Sequence, residues 1–149
     1  MHPELTKQLV RQQLEEARSS GLFGSSVVLE EIGYPTFFIR FRAVGGYERL
    51  LRFDYLHYDT FPMEVYPVDL ATREALPPDR WMQRDGGAFP IHGATNSPFL
   101  CAEGLRSFYT HPGHDPLTTN QPWEKHRAHF RLVALLQFIA GRFASGRWA

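Results

Sequence analysis

The sequence predicts an α+β fold in which a helix precedes, and a second helix follows, one antiparallel sheet. Three observations predict it. Apolar residues recur at helical spacing near both ends of the chain. Four short segments rich in β-branched and aromatic residues lie between them, spaced closely enough for hairpins in an antiparallel meander. An irregular segment rich in glycine and proline then separates the fourth strand from the last helix.

The first element is predicted to be an amphipathic helix. Pro3 suits the first turn of a helix, and Gly21 and Gly24 mark its end. Its predicted apolar face consists of Leu5, Leu9, Val10, Leu14 and Ala17.

Turn residues divide the next part of the chain into strands. A turn at 33–35 and a Gly45-Gly46 break separate the first three, and Pro62 and Pro67 confine the fourth to an edge of the sheet or a strand end. The strands are predicted at 27–32, 36–43, 48–58 and 63–70.

The segment at 71–119 is predicted to be irregular, and a stretch of this length without regular structure is typical of a functional region. The last element is predicted to be a long helix, with Pro122 as its start signal. Its apolar stripe consists of Ala128, Leu132, Val133, Leu135, Leu136, Ile139 and Phe143.

Length and composition narrow the class of protein. A chain of 149 residues predicts a single domain over 1–149, and sixteen basic residues against sixteen acidic ones argue against a nucleic-acid or membrane-surface partner. One cysteine forms no internal disulfide, which fits a reducing compartment. Neither a signal peptide nor a membrane span is expected, so the predicted location is the cytoplasm.

The chemistry-bearing residues are concentrated in the irregular segment. Cys101, Glu103, His111 and His114 lie within fourteen positions, among glycines and prolines. A soft nucleophile beside a carboxylate and two imidazoles suits thiolate catalysis with acid/base groups. The same four side chains also suit a tetrahedral zinc site, so both interpretations stay open.

The order of elements resembles the ubiquitin-conjugating enzyme fold, and several motifs strengthen the resemblance. His92, nine positions before Cys101, lies near the place of the histidine in the family's His-Pro-Asn motif, and Trp123 fits a family tryptophan before the last helix. Two segments resemble the family's aromatic-proline entry to the fourth strand and its thioester-cysteine run: Phe61-Pro62-Met63-Glu64-Val65-Tyr66-Pro67-Val68 and Phe99-Leu100-Cys101-Ala102-Glu103.

A narrower resemblance covers the cysteine segment alone. Cys101, Glu103, His111 and His114 are similar to the Cys-Glu-His-His signature of a bacterial family found in ubiquitin-like conjugation gene clusters, described as a predicted metal-binding domain. One departure from the conjugating-enzyme pattern matters. Gly93 stands where the motif has proline and Ala94 where it has asparagine, so the amide that helps to bind the oxyanion is missing.

The resemblance implies a thioester-transfer enzyme that needs no cofactor. An activating-enzyme-like partner would pass a ubiquitin-like protein to Cys101, with Lys7 and Arg11 on the exposed face of the first helix as contacts. The thioester would then pass to an amine of a target protein. Glu103 would orient a histidine or position the amine, and His111 and His114 would accept its proton or bind the oxyanion.

Two other functions remain open. One is a zinc-binding accessory domain of the same pathway, which uses the same four residues, and the other is an interaction module in which Cys101 is incidental. His126 and His129 are predicted to be solvated on the polar or boundary face of the last helix. Trp81, Phe89 and Trp123 are predicted to pack the irregular segment onto the sheet.

Overall fold

An antiparallel meander lies at the centre of the fold, as the sequence predicts. The structure is a computed structural model and describes residues 2–81, 100, 102–110 and 122–144. The strands lie in the sheet in chain order. The elements are α1 (Pro3–Ser19), β1 (Val27–Gly33), β2 (Thr36–Arg42), β3 (Glu48–Asp54), β4 (Glu64–Val68), a 3₁₀ turn (Pro78–Arg80), α2 (Arg106–Thr110), α3 (Trp123–His126) and α4 (Leu132–Ala144).

Helix α1 buries three of its five predicted apolar residues, and a fourth, Leu9, is half-buried. Its buried residues are Thr6, Val10, Leu14 and Ala17. Leu5 is exposed. Thr6 takes the buried position because its hydroxyl donates a hydrogen bond of 2.7 Å to the carbonyl of Tyr58, which satisfies both polar groups.

The alternation of side chains along the strands gives the sheet a helix-facing side. Phe37 pairs with Phe53 and Ile39 with Leu51 across β2 and β3, and all four side chains are buried. Strand β4 lies at the edge of the sheet, where Pro67 is tolerated. Strand β3 ends at Asp54, earlier than the predicted 58, because the Asp54 carboxylate accepts a hydrogen bond from the Leu56 amide and starts a turn.

Aromatic rings fill the space between the sheet and the helices. The rings of Phe37 and Phe53 stack with their centroids 4.6 Å apart. Phe41 of β2 stacks on Phe143 of α4 at 5.2 Å, and both side chains are almost completely buried. These contacts fix α4 across the sheet, beside α1.

The predicted last helix is divided into two. Pro122 caps the four-residue α3, and a turn at 127–131 separates it from α4, which begins at Leu132. Ala128 therefore lies in an exposed turn, contrary to its predicted place in the apolar stripe. The other six residues of the predicted stripe are buried in α4. No helix among the described residues is long and apolar enough to cross a membrane.

Candidate functional site

The structure describes one of the four predicted site residues. Glu103 lies in a turn and its side chain is exposed. Cys101, His111 and His114 lie outside the described residues, as do His92, Gly93, Ala94 and Phe89. The described part of the site therefore consists of the residues that flank the cysteine and the helices that hold them.

The residues on either side of Cys101 are anchored in the core. Leu100 and Ala102 are both buried, at 6% and 4% exposure. The Leu100 carbonyl accepts a hydrogen bond from the Ser107 hydroxyl at 3.2 Å. The Ala102 carbonyl accepts one from the Leu105 amide, also at 3.2 Å. Both flanks of the cysteine are thus tied to the turn that follows it.

The same turn is attached to the start of β4. The Arg106 amide donates a hydrogen bond of 2.8 Å to the Met63 carbonyl, and Met63 forms a parallel bridge with Leu105. The Arg106 guanidinium also lies 2.9 Å from the Glu64 carboxylate. The backbone at 102–106 therefore has a fixed position relative to the sheet.

Gly104 is required at the apex of this turn. Its φ of +100° lies in the region that side chains disfavour. A Cβ there would lie 2.3 Å from Cε2 of Phe130, well inside van der Waals contact. The ring of Phe130, which precedes α4, therefore packs directly against the Gly104 backbone.

Tyr109 connects the turn to α3. Its hydroxyl accepts a hydrogen bond from the Gly104 amide at 3.1 Å and also contacts Nδ1 of His126. Burial raises the pKa of Tyr109 to about 12, and the nearby Glu103 carboxylate acts in the same direction, whereas the Gly104 hydrogen bond opposes it. The hydroxyl is therefore protonated at neutral pH.

A cluster of aromatic rings surrounds this contact. Trp123 is buried, its indole N–H donates to the Asp59 carbonyl at 2.7 Å, and its ring contacts those of Tyr109 and Phe130 at 5.6 and 5.4 Å. Trp123 thus packs the segment at 102–110 against the β3–β4 connection, in line with its predicted structural role. Trp81 is half-buried and donates to the Leu76 carbonyl at 3.1 Å.

His126 is the residue of this region that sequence reasoning missed. The sequence predicts a solvated side chain, but His126 is half-buried and its ring contacts Tyr109 and Trp123. His129 is exposed, as predicted. The sequence carries no signal for the pairing of Tyr109 with His126, because the two residues lie on different helices, seventeen positions apart.

The zinc interpretation stays a prediction. Only Glu103 of its four residues is described, and in the described part of the chain no group of three His, Cys, Asp or Glu side chains is placed to hold a metal ion.

A cavity of about 390 Å³ lies elsewhere, at the other end of α4. Its walls are mostly apolar and include Val27, Ala43, Ala140 and Phe143, with Arg42 as the charged residue. The thirteen residues of α4 span about 20 Å, so this cavity is remote from Phe130 and the turn at Gly104.

Comparison with known proteins adds no assignment. No protein-family model matches the chain, and no curated protein matches its sequence significantly. The functional interpretation therefore depends on the residues of the chain and the geometry around them.

Proposed function

We propose that this chain is a ubiquitin-conjugating-like acyl transferase, which carries a ubiquitin-like protein as a thioester on Cys101 and transfers it to an amine. By the resemblance drawn from its sequence, its partners are an activating-enzyme-like protein, the ubiquitin-like protein and a target with an acceptor amine. The proposed setting is the cytoplasm of a bacterial cell.

The anchoring of both flanks of Cys101 is the observation that carries this proposal. Leu100 and Ala102 are buried, whereas Glu103 is exposed. Leu100 and Ala102 both face the core and side chains alternate along extended backbone, so we expect the thiol between them to point away from the core. A carrier cysteine needs this combination, because the thiol must be accessible while its backbone is held in place.

The surrounding groups suit the two halves of thioester transfer. A thiol has an ordinary pKa near ~8.5, so a fraction is ionised at neutral pH. In the first half this thiolate bonds to the carbon of an activated carboxyl group, and the bond from that carbon to the activating group breaks. In the second half the amine nitrogen bonds to the thioester carbon, the carbon–sulfur bond breaks and the thiolate leaves. Glu103 positions the amine, and His111 or His114 accepts its proton.

A synthetic peptide thioester tests the proposal without the natural partners. The peptide is exchanged onto Cys101, the only cysteine in the sequence, and the adduct is followed by mass spectrometry as free lysine is added. We expect the acyl group to pass to lysine at least ~100-fold faster than from a short N-acetylated Leu-Cys-Ala-Glu-Gly peptide, because a general base alone contributes about that much. Equal rates in the protein and the short peptide contradict the proposal.

Two variants sharpen this test. Cys101→Ser should give no adduct or an ester that resists reductant, and Glu103→Gln should form the thioester normally but discharge it more slowly. With the activating enzyme, ATP and the ubiquitin-like protein, a reductant-sensitive adduct that persists in Cys101→Ser would also contradict the assignment. Metal analysis separates the zinc alternative, since one zinc per chain that is lost in His111→Ala favours the accessory domain instead.

A further inference from the structure

The cavity at the C-terminal end of α4 lies between that helix and the adjoining ends of β1 and β2. Its volume of about 390 Å³ is in the range of pockets that hold small organic ligands. Ala140, Phe143 and Ala144 of α4 line it, together with Val27 at the start of β1 and Ala43 just after β2. These side chains offer no hydrogen bond to water, so an apolar group that replaces the water is stabilised there.

Gly141 leaves a gap in the α4 wall of this cavity. It lies in the interior of the helix, where glycine is the least favourable residue except proline. A Cβ built on Gly141 meets no atom of the described chain within 4 Å, so packing gives no reason for glycine. Gly104 is the opposite case, because a Cβ on it would strike Phe130. Glycine in the cavity wall is explained instead by the close approach of a ligand to the helix backbone.

Arg42, the last residue of β2, adds a positive charge to the wall. Its side chain is 52% exposed, which fits a position at the mouth of the cavity. Its Nε lies 3.4 Å from the Glu48 carboxylate, but both oxygens of that carboxylate also accept hydrogen bonds from Arg40. The two terminal nitrogens of Arg42 donate no hydrogen bond to any described residue, so both are available to an anion.

We propose that the cavity binds a straight-chain monocarboxylate, with its hydrocarbon chain against α4 at Gly141 and its carboxylate on the terminal nitrogens of Arg42. The planar guanidinium presents two N–H groups that match the two oxygens of one carboxylate. Glu48 and the carbonyl groups at the end of α4 counteract the charge of Arg42, so the site compensates one negative charge better than the two of a phosphate. Such a site is independent of the acyl transfer proposed above, because it lies at the other end of α4 from the turn at Gly104.

Titration of ¹⁵N-labelled protein with butanoate, hexanoate, octanoate and decanoate tests the apolar part of the site. We expect the affinity to rise about fourfold with each added methylene until the cavity is full, because each methylene buries a similar apolar surface. The amide shifts should change most at 26–27, 42–44 and 140–144. An affinity that does not depend on chain length, or shift changes spread over the whole surface, would overturn the proposal.

Ligands with the same chain and different head groups test the role of Arg42. Octanol is uncharged and octyl phosphate carries up to two charges, so both should bind at least about threefold more weakly than octanoate. The factor is modest because Arg42 is half-exposed and solvent screens its charge. Arg42→Gln should remove the preference for octanoate over octanol. A preference that survives in this variant would show that the head group lies elsewhere and would overturn the assignment.

Gly141→Leu tests the position of the hydrocarbon chain. The added side chain should occupy the space beside α4 and lower the affinity for octanoate at least ~10-fold, the contribution of about two methylenes. The urea midpoint should stay the same or rise, because leucine forms helices better than glycine. Ala134→Leu is the matched control, since it adds apolar bulk to an exposed position of α4 about 10 Å from Gly141 and outside the cavity wall. This control should bind octanoate with wild-type affinity.

The remaining outcomes distinguish a small carboxylate from other occupants of the cavity. We expect a monomer that binds one equivalent of octanoate per chain. Failure of every carboxylate to saturate the protein would overturn the proposal, and so would equal losses of affinity in Gly141→Leu and Ala134→Leu. If sedimentation shows a dimer that Gly141→Leu converts to a monomer, a second copy of the chain covers the cavity and the carboxylate site is overturned. Acyl transfer is unaffected by each of these results, because discharge of the peptide thioester tests it separately.

Discussion

Two regions of the molecule meet at Phe130, and the interactions that stabilise one differ from those that stabilise the other. The scaffold, formed by the sheet with α1 and α4, depends on many apolar side chains that share one face of each element. The turn segment, residues 102–110 with α3, adds a few side chains to the same core and depends in addition on specific contacts, of which Gly104 against Phe130 and Tyr109 with His126 are two. The scaffold should tolerate replacement of one apolar side chain by another of similar size, whereas adding or removing a single atom in the turn segment should lower stability.

This difference assigns separate tasks to the two regions. Repeated burial gives a cooperative unit whose stability is spread over many contacts. A short segment held by individual hydrogen bonds positions particular groups, here the flanks of Cys101 and the His126 ring, but it opens locally at lower cost. The predictions below separate loss of the whole fold from loss of the turn segment.

The largest effect is expected in the scaffold, from Phe41→Ala. The Phe41 side chain is fully buried and stacks on Phe143, so its removal leaves a cavity between β2 and α4. We expect the free energy of unfolding to fall by about 3–5 kcal/mol, measured by urea denaturation. Phe41→Leu, which fills most of the cavity, should lose less than half as much, and equal losses would contradict the packing account.

A smaller but more localised effect is expected from Gly104→Ala in the turn segment. The positive φ and the clash with Phe130 should together lower the free energy of unfolding by about 2–4 kcal/mol. Amide hydrogen exchange should accelerate more at 102–110 than in the sheet. Gly21→Ala is the matched control, since Gly21 has a φ of +82° but nothing within 4 Å of the added methyl group. The stability that Gly21→Ala loses therefore measures backbone strain alone.

Combining Gly104→Ala with Phe130→Ala should relieve the clash, so the double variant should lose less stability than the two single variants together. A loss equal to their sum would show that the clash does not contribute.

Loss of one hydrogen bond should suffice to loosen the turn segment. Trp123→Phe keeps one six-membered ring but removes the rest of the buried indole, including the N–H that donates to the Asp59 carbonyl. We expect the free energy of unfolding to fall by about 2 kcal/mol, because the carbonyl loses its partner and the smaller ring leaves a gap. The variant has one tryptophan fewer, so its fluorescence and near-ultraviolet circular dichroism differ from those of the wild type even when it is folded. Urea denaturation is therefore followed by far-ultraviolet circular dichroism. An unchanged midpoint would show that water replaces the indole without cost.

The two regions also differ in how far the sequence predicts them. The strands and the face of α4 follow from alternation and helical spacing, which are local patterns, and their order alone indicates the α+β layout. The break before α4 was missed because Pro122 and Ala128 both fit a continuous helix, while the turn at 127–131 and the packing of Phe130 against Gly104 are tertiary features. For the same reason the sequence does not predict the contact of Tyr109 with His126, and the role of Glu103 stays a prediction.

The smallest effect concerns the titration of Tyr109. Its pKa is raised from the ordinary 10.0 to about 12, so between these values the folded chain holds a proton that the unfolded chain has lost. The free energy of unfolding should therefore be unaffected below about pH 10 and fall as the pH rises toward 12. In Tyr109→Phe the fall should be shallower, though not absent, because burial also raises the pKa of Tyr58. Urea midpoints of the two proteins, compared across this range, give the difference directly. Parallel curves would mean that the Tyr109 hydroxyl is as accessible to solvent in the folded chain as in the unfolded one, and the turn segment would then lack the buried hydrogen bond that orients His126.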